Sequence, residues 1–283
     1  MDFVKMHGLG NDFIIVEVAS WEEAKTLQPY AQAVCNRNIG IGADGLVAIG
    51  KEQHMDIFMR IFNPDGSEPE MCGNAIRCVS KYIYEHQWVN RTSFSVRTLA
   101  GPRYPVVKVR DGQVESITVD MGEPILTRSL IPMVGNGNTV KVKAAILSGE
   151  VEFTGVSMGN PHCVVFVNDI DQTPISKWGP EIETHPLFPA KTNVEFVQVI
   201  SRDELIMRVW ERGAGITLAC GTGACATLVA ASMNDHTDRN ATIHLLGGDL
   251  FIEWKEEDNH VYMTGPATKV FSGHIELGQA KKF

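Results

Sequence analysis

No apolar run in this 283-residue sequence approaches the ~18 residues that a membrane-spanning helix needs. The opening stretch Met1-Asp2-Phe3-Val4-Lys5 has neither the basic nor the apolar region of a secretory signal. These two absences predict a cytoplasmic chain away from membranes. Thiols stay reduced there, so the six cysteines are read as free. Positive charge is also scarce, with a formal net charge of −9. Readers of nucleic acid carry a basic stripe, so no nucleic-acid partner is expected, while a zwitterionic small molecule remains compatible. Metal-ligand spacing is missing. Cys72 and Cys78 read C-x5-C, Cys220 and Cys225 read C-x4-C, and no histidine pair stands nearby at zinc spacing. There is no G-x-S-x-G, H-E-x-x-H or P-loop. Gly8-Leu9-Gly10 is read as a tight turn, because no helix pattern follows it. The composition that is left, 44% hydrophobic and 21% charged, is that of a soluble globular chain of one large or two ordinary domains.

What the sequence does contain is one word written twice. Met71-Cys72-Gly73-Asn74-Ala75 and Ala219-Cys220-Gly221-Thr222-Gly223-Ala224-Cys225 each set a cysteine before a glycine and a small polar residue, at the start of a helical pattern. After Cys72 the apolar residues Ala75, Ile76, Val79 and Ile83 form a stripe, with Lys81 and Glu85 on other faces. After Cys220 the run is small and apolar all round, as in a helix buried on every side. The first helix is expected to end near His86 and the second near Asn234. Each cysteine is thus predicted at a helix N-terminus, where backbone N–H groups are unpaired and a thiol pKa falls below its free value of about 8.5. Cys78, Cys225, Cys35 and Cys163 are read as core residues.

The surroundings repeat too. Arg60-Ile61-Phe62 precedes Cys72 as Arg208-Val209-Trp210 precedes Cys220, an offset of 148 in both the arginines and the cysteines. Gly10-Asn11-Asp12 aligns with Gly159-Asn160-Pro161 at 149, and Asp44-Gly45 with Thr192-Asn193 at 148. Met121-Gly122-Glu123-Pro124 resembles Met263-Thr264-Gly265-Pro266. Matches in one order at nearly one offset predict a duplicated unit. The expected fold is α+β: two pseudo-symmetric domains, each a mixed, mainly antiparallel sheet around a central helix, with the active site in the cleft between them. Residues 1–122 make the first domain, joined by the C-terminal stretch 267–283, and residues 123–266 make the second. Further helices are expected over 21–38 and 175–184. A hairpin is expected about Asp111-Gly112, and a frayed end at Lys281-Lys282-Phe283.

Two matched thiols suit stereoinversion at carbon. One thiolate removes a proton from one face and the other thiol delivers a proton to the opposite face, while the helix N-termini stabilise charge building on a substrate carboxylate. A cysteine hydrolase using His162 needs only one such thiol. Several longer motifs then resemble a known family, the diaminopimelate epimerases: Lys5-Met6-His7-Gly8-Leu9-Gly10-Asn11-Asp12-Phe13, Phe62-Asn63-Pro64-Asp65-Gly66-Ser67, Cys72-Gly73-Asn74, Ser157-Met158-Gly159-Asn160-Pro161-His162, Glu211-Arg212-Gly213-Ala214-Gly215 and Ala219-Cys220-Gly221-Thr222-Gly223. The resemblance runs essentially end to end. It implies a cofactor-independent, PLP-independent isomerase, usually a homodimer, that interconverts LL- and meso-diaminopimelate in lysine and cell-wall precursor synthesis. It implies that Cys72 and Cys220 are the acid–base thiols. Asn11, Asn63, Asn160, Asn193, Glu211 and Arg212 then match substrate-contacting positions, and Gly73-Asn74 and Gly221-Thr222 match the amides that hold the reacting carboxylate. His162 and Glu211 match polar residues that tune the thiols. Arg212 suits the distal carboxylate. Gly45 departs from the glutamine of some members, and Ala75 from a common glycine. A same-fold racemase of histidine or hydroxyproline is the alternative, and a non-catalytic amino-acid-binding protein a more distant one.

Overall fold

The structure, a computed structural model, describes residues 1–277. The chain end expected to fray, Lys281-Lys282-Phe283, and the last part of the 267–283 stretch lie outside the described residues. The chain divides into two compact units: Met1–Val119 with the chain from Gly265 onward, and Asp120–Thr264.

In chain order the first unit contains β1 (Asp2–Gly8), β2 (Asn11–Glu17), α1 (Trp21–Lys25), α2 (Ala31–Cys35), β3 (Gly45–Lys51), β4 (Ile57–Phe62), α3 (Gly73–Glu85), β5 (Val96–Thr98), β6 (Gly101–Arg103), β7 (Val106–Arg110) and β8 (Gln113–Asp120). The second contains β9 (Val142–Ile146), β10 (Gly149–Ser157), β11 (Pro161–Val167), α4 (Ile175–Glu183), β12 (Asn193–Val199), β13 (Glu204–Glu211), β14 (Gly215–Thr217), α5 (Gly221–Met233), β15 (Asn240–Leu245), β16 (Gly248–Trp254) and β17 (Val261–Gly265). β18 (Thr268–His274) then pairs with β1 at the edge of the first unit's sheet. No helix among the described residues is long and apolar enough to cross a membrane.

The duplication is visible in strand pairing. In the first unit β1/β2 is antiparallel, β2/β3 parallel, β3/β4 antiparallel, β4/β5 parallel and β5/β6 antiparallel. In the second, β10/β11, β11/β12, β12/β13, β13/β15 and β15/β16 run through the same sequence of directions. Register repeats with it. Leu46 faces Phe62 and Val194 faces Trp210, so each partner is displaced by the 148 positions that separate the cysteines. Mixed pairing of this kind with few helices is an α+β fold, as the sequence predicts.

Turn chemistry sets the register at the site. β1 and β2 are joined by Leu9 and Gly10, both at positive φ (58° and 88°), the conformation of a tight two-residue hairpin turn. That turn puts Asn11 first in β2. The expected hairpin about Asp111-Gly112 forms between β7 and β8, again with both turn residues at positive φ. One expected element is broken. The helical pattern over 21–38 yields α1, a single 3-10 turn over Gln28–Tyr30, and α2. Pro29 lacks the N–H a continuous helix requires and seats itself in the first turn of the 3-10 segment.

The core of each unit explains its helix. α3 packs on β1, β2 and β4, whereas α5 touches β10, β11, β12, β13, β15 and β16. A sheet that surrounds a helix on so many sides needs small apolar residues everywhere, and Ala224, Ala226, Leu228, Val229, Ala230 and Ala231 are all fully buried.

Candidate active site

Each cysteine takes the place the sequence predicts. Cys72 is the N-cap of α3 and Cys220 the N-cap of α5, both with extended backbones (φ −141° and −126°). The first-turn amides of both helices therefore have no intrahelical partner. None of the six cysteines is in a disulfide; Cys72 is half-buried and the other five are buried.

In the first unit the sequence-predicted residues Asn11, Cys72, Gly73 and Asn74 come together. Asn74 Nδ2 donates to Asn11 Oδ1 (2.9 Å), and Cys72 Sγ lies 3.9 Å from the same oxygen. Asn11 Nδ2 donates to Asp44 Oδ2 (2.8 Å). Behind it stands an ionic cluster that the motifs did not single out. Lys5 Nζ meets Asp12 Oδ2 at 2.7 Å, and Arg37 spans Asp12 Oδ1 (2.7 Å) and Asp44 Oδ1 (2.8 Å). Burial raises the Asp12 carboxyl, but the bonds from Arg37 and Lys5 outweigh it and leave it well below the usual carboxylate range. Asn63 stands apart from this group. Its Nδ2 donates to Ser67 Oγ (2.9 Å) and its N–H to Ser67 O (2.8 Å), which closes the turn after β4. At Gly45 a Cβ would sit 3.3 Å from the Phe13 ring, so the aromatic side chain occupies the room a larger residue would take.

In the second unit Asn160, His162, Cys220, Gly221 and Thr222 come together. Asn160 Nδ2 donates to Thr222 Oγ1 (3.4 Å), the counterpart of the Asn11–Asn74 contact, and Thr222 Oγ1 lies 3.6 Å from Cys220 Sγ. The Gly223 N–H donates to that sulfur at 3.4 Å. His162 is fully buried, with Nε2 2.9 Å from Asn160 Oδ1 and Nδ1 2.7 Å from Glu195 Oε1. Glu195 is the residue that motif reading missed. Its signal is a lone acid in the otherwise apolar strand Asn193-Val194-Glu195-Phe196-Val197, two positions from Asn193 and so on the same face.

Asn193 and Arg212 are linked. The Arg212 backbone N–H donates to Asn193 Oδ1 (2.9 Å), while Asn193 Nδ2 donates to Pro161 O (3.0 Å). Asn193 is thus buried and engaged within the protein, holding the Arg212 backbone, while the Arg212 side chain is exposed and donates to Ala190 O (3.1 Å). Glu211 accepts from the Thr217 hydroxyl.

The helix start does not lower the Cys220 thiol. Burial pushes it well above its ordinary value, and the carboxylates of Glu211 and Glu195 push the same way. The contacts from Thr222 and the Gly223 N–H oppose the rise without cancelling it.

The sequence as a whole is similar to known proteins. The family model for diaminopimelate epimerase matches residues 3–127 and 154–270. The diaminopimelate epimerase of Heliobacterium modesticaldum is 53% identical over 287 residues, covering 98% of this chain and 100% of that protein. The enzyme of the same name from Moorella thermoacetica is 52% identical over 278 residues, covering 98% and 100%. Among solved structures, a probable proline racemase from Agrobacterium radiobacter K84 superposes with a TM-score of 0.72 at 16% identity, covering 100% of this chain and 96% of that one, a likeness of fold alone. With the family model matched across both halves and about half of all residues shared along the full length, the chain belongs to the diaminopimelate epimerase family.

Proposed function

We propose that this chain interconverts LL- and meso-diaminopimelate by proton transfer at one α-carbon, with Cys72 and Cys220 as the two acid–base groups. The observation that carries this reading is the pair of cysteines, each the N-cap of a thirteen-residue helix at matched positions of a duplicated unit. A thiol holds a single proton. Inversion therefore uses one thiolate to take the α-proton and a second thiol to return a proton to the other face. The first-turn amides at Gly73-Asn74 and Gly221-Thr222 are unpaired donors suited to the α-carboxylate, whose charge grows as the α-proton leaves. Arg212 is assigned to the distal carboxylate, since its guanidinium is exposed and its backbone is pinned by Asn193. Asn11 and Asn160 are assigned to the substrate's polar groups. His162 and Glu211 adjust the protonation of the thiols, and Asn63 completes the contact set. A homodimer working in the cytoplasm, within lysine biosynthesis, belongs to the same proposal.

The test is turnover of LL-diaminopimelate by the purified chain without added cofactor. Cys72→Ala and Cys220→Ala are each expected to lower kcat by ~10²–10⁴-fold, the usual contribution of a positioned acid or base. Their melting temperatures should stay close to that of the unaltered chain. Full activity in either variant would remove the two-thiol assignment. Inversion of histidine or hydroxyproline in place of diaminopimelate would move the chain to a different substrate class.

A further inference from the structure

Glu195 is fully buried, yet only one of its oxygens is hydrogen-bonded. Oε1 meets His162 Nδ1 at 2.7 Å, while Oε2 has no hydrogen-bond partner among the described residues. A buried carboxyl with a bare oxygen destabilises the fold, and a leucine would fill this strand position without that cost. The sulfur and the carboxyl also crowd the same glycine. A Cβ at Gly223 would lie 2.7 Å from Glu195 Oε1 and 3.2 Å from Cys220 Sγ.

From Glu195 a line of contacts runs to that sulfur. His162 Nε2 reaches Asn160 Oδ1 (2.9 Å), Asn160 Nδ2 donates to Thr222 Oγ1 (3.4 Å), and Thr222 Oγ1 lies 3.6 Å from Cys220 Sγ. The line has a direction. With Asn160 Oδ1 turned to the ring, His162 must donate from Nε2–H. The Asn160 N–H then donates to Thr222, whose O–H is left to donate to sulfur. A ring turned this way is held by a partner on its other nitrogen, and Glu195 Oε1 is that partner, 2.7 Å from Nδ1.

We propose that Glu195 is a positioning residue for Cys220, holding His162 with its Nε2–H on Asn160 so that the Asn160–Thr222 line donates toward the sulfur. Among the described residues, the matching strand positions of the first unit carry no such pair. By the repeat offset, Phe13 stands where His162 does and Val47 where Glu195 does, and Asn11 is fixed by Asp44 instead. The difference matches the demand. Cys72 is half-buried, whereas Cys220 is 6% exposed and burial disfavours its thiolate, so a buried donor aimed at the second sulfur acts against that burial.

The inference rests on the reading of Cys220 as an acid–base thiol. Its test is steady-state turnover of LL-diaminopimelate by the unaltered chain, Glu195→Leu, His162→Asn and the double variant. Leucine fills the position but offers Nδ1 no hydrogen-bond partner, whereas a glutamine amide could still donate to it. Glu195→Leu should lower kcat by ~10–100-fold, the scale on which losing a partner that orients a functional imidazole acts, with KM changed by less than about twofold. In the His162→Asn background the same substitution should change kcat by less than about twofold, because the line is already cut. An unchanged kcat in Glu195→Leu, or losses that multiply in the double variant, would overturn the inference while leaving the proposed function standing. An unaltered chain that does not turn over the substrate would overturn the function itself. If Glu195→Leu does not fold, nitrogen-15 NMR of the unaltered chain decides: His162 should carry a proton on Nε2, and a bare Nε2 would overturn the proposal.

Discussion

Cys72 and Cys220 begin helices of the same length, yet their surroundings make them different reagents. At Cys220 opposing influences compete. The helix N-terminus and the Gly223 N–H favour the thiolate, whereas burial and two carboxylates disfavour it, and burial is the largest. The helix start is read from the sequence and the resemblance points to Glu211, but burial and the Glu195 carboxylate of β12 arise only when the fold brings separate stretches together. That is why the thiol's position was legible and its ionisation was not. Since the thiolate is the form that reacts, iodoacetamide at pH 8 should modify Cys72 faster than Cys220 by at least ~tenfold. Peptide mapping by mass spectrometry at short times checks this, and Cys220 labelling first would contradict the burial argument. The asparagines teach a related lesson. Asn11 and Asn160 align in the repeat and touch equivalent neighbours, Asn74 and Thr222, but one is anchored by Asp44 and the other by His162. Alignment of the copies found the pair; only the fold shows the anchors.

Glycine inside a helix ordinarily weakens it, so propensity alone favours Gly179→Ala in α4 by about 1 kcal/mol. Packing reverses the sign. A Cβ at 179 would lie 2.6 Å from the Trp210 ring and 2.8 Å from its Cβ, which is not a flexible tip that swings aside. Overpacking of this kind typically costs ~1–3 kcal/mol. It would also disturb Trp210 Nε1, which donates to Glu183 Oε2 (2.7 Å), and through Glu183 Oε1 the Gly213 N–H (3.1 Å), next to Arg212. Gly179→Ala is therefore expected to lower the unfolding free energy in urea, and a more stable variant would show that propensity wins. The same contrast between local and remote causes decides which elements the sequence announced. α3, α5 and the hairpin about Asp111-Gly112 were legible, since stripe, buried run and turn residues are local signals. Over 21–38 the apolar spacing continues across Pro29 while the helical backbone does not, so the sequence pattern overstates the helix. Strand pairing beyond the hairpins was not legible, since a parallel partner such as β12 for β11 lies across a helix in sequence. Even so, the 148-residue offset read from single residues reappears intact in the register of β3/β4 and β12/β13.

At the scale of the whole chain, free thiols govern behaviour in alkali. Burial pushes Cys35 and Cys78 up to about 12, and it raises Cys163 and Cys220 as well. An unfolded cysteine ionises near ~8.5. Above that pH the unfolded chain releases protons that the folded chain keeps, so the unfolded state binds fewer protons and stability falls as pH rises. Below about pH 8.5 both states hold their thiols neutral and these groups contribute no slope. Between that pH and the folded values, each thiol removes ~1.4 kcal/mol of stability per pH unit. Tyrosines add their own slope only later. Tyr82 and Tyr262 are also raised, the first mainly by burial and the second mainly by its bond to Asp258, but an unfolded tyrosine ionises near ~10. Urea unfolding between pH 8.5 and 9.5 thus isolates the cysteines. The unfolding free energy is expected to drop steeply across that window. Cys78→Ala should start less stable at pH 7.5, having lost a fully buried side chain, yet decline less steeply by about one proton's worth. An unfolding free energy that stays level from pH 8.5 to 9.5, or an unchanged slope in Cys78→Ala, would show that the thiols ionise in the folded chain as readily as in the unfolded one.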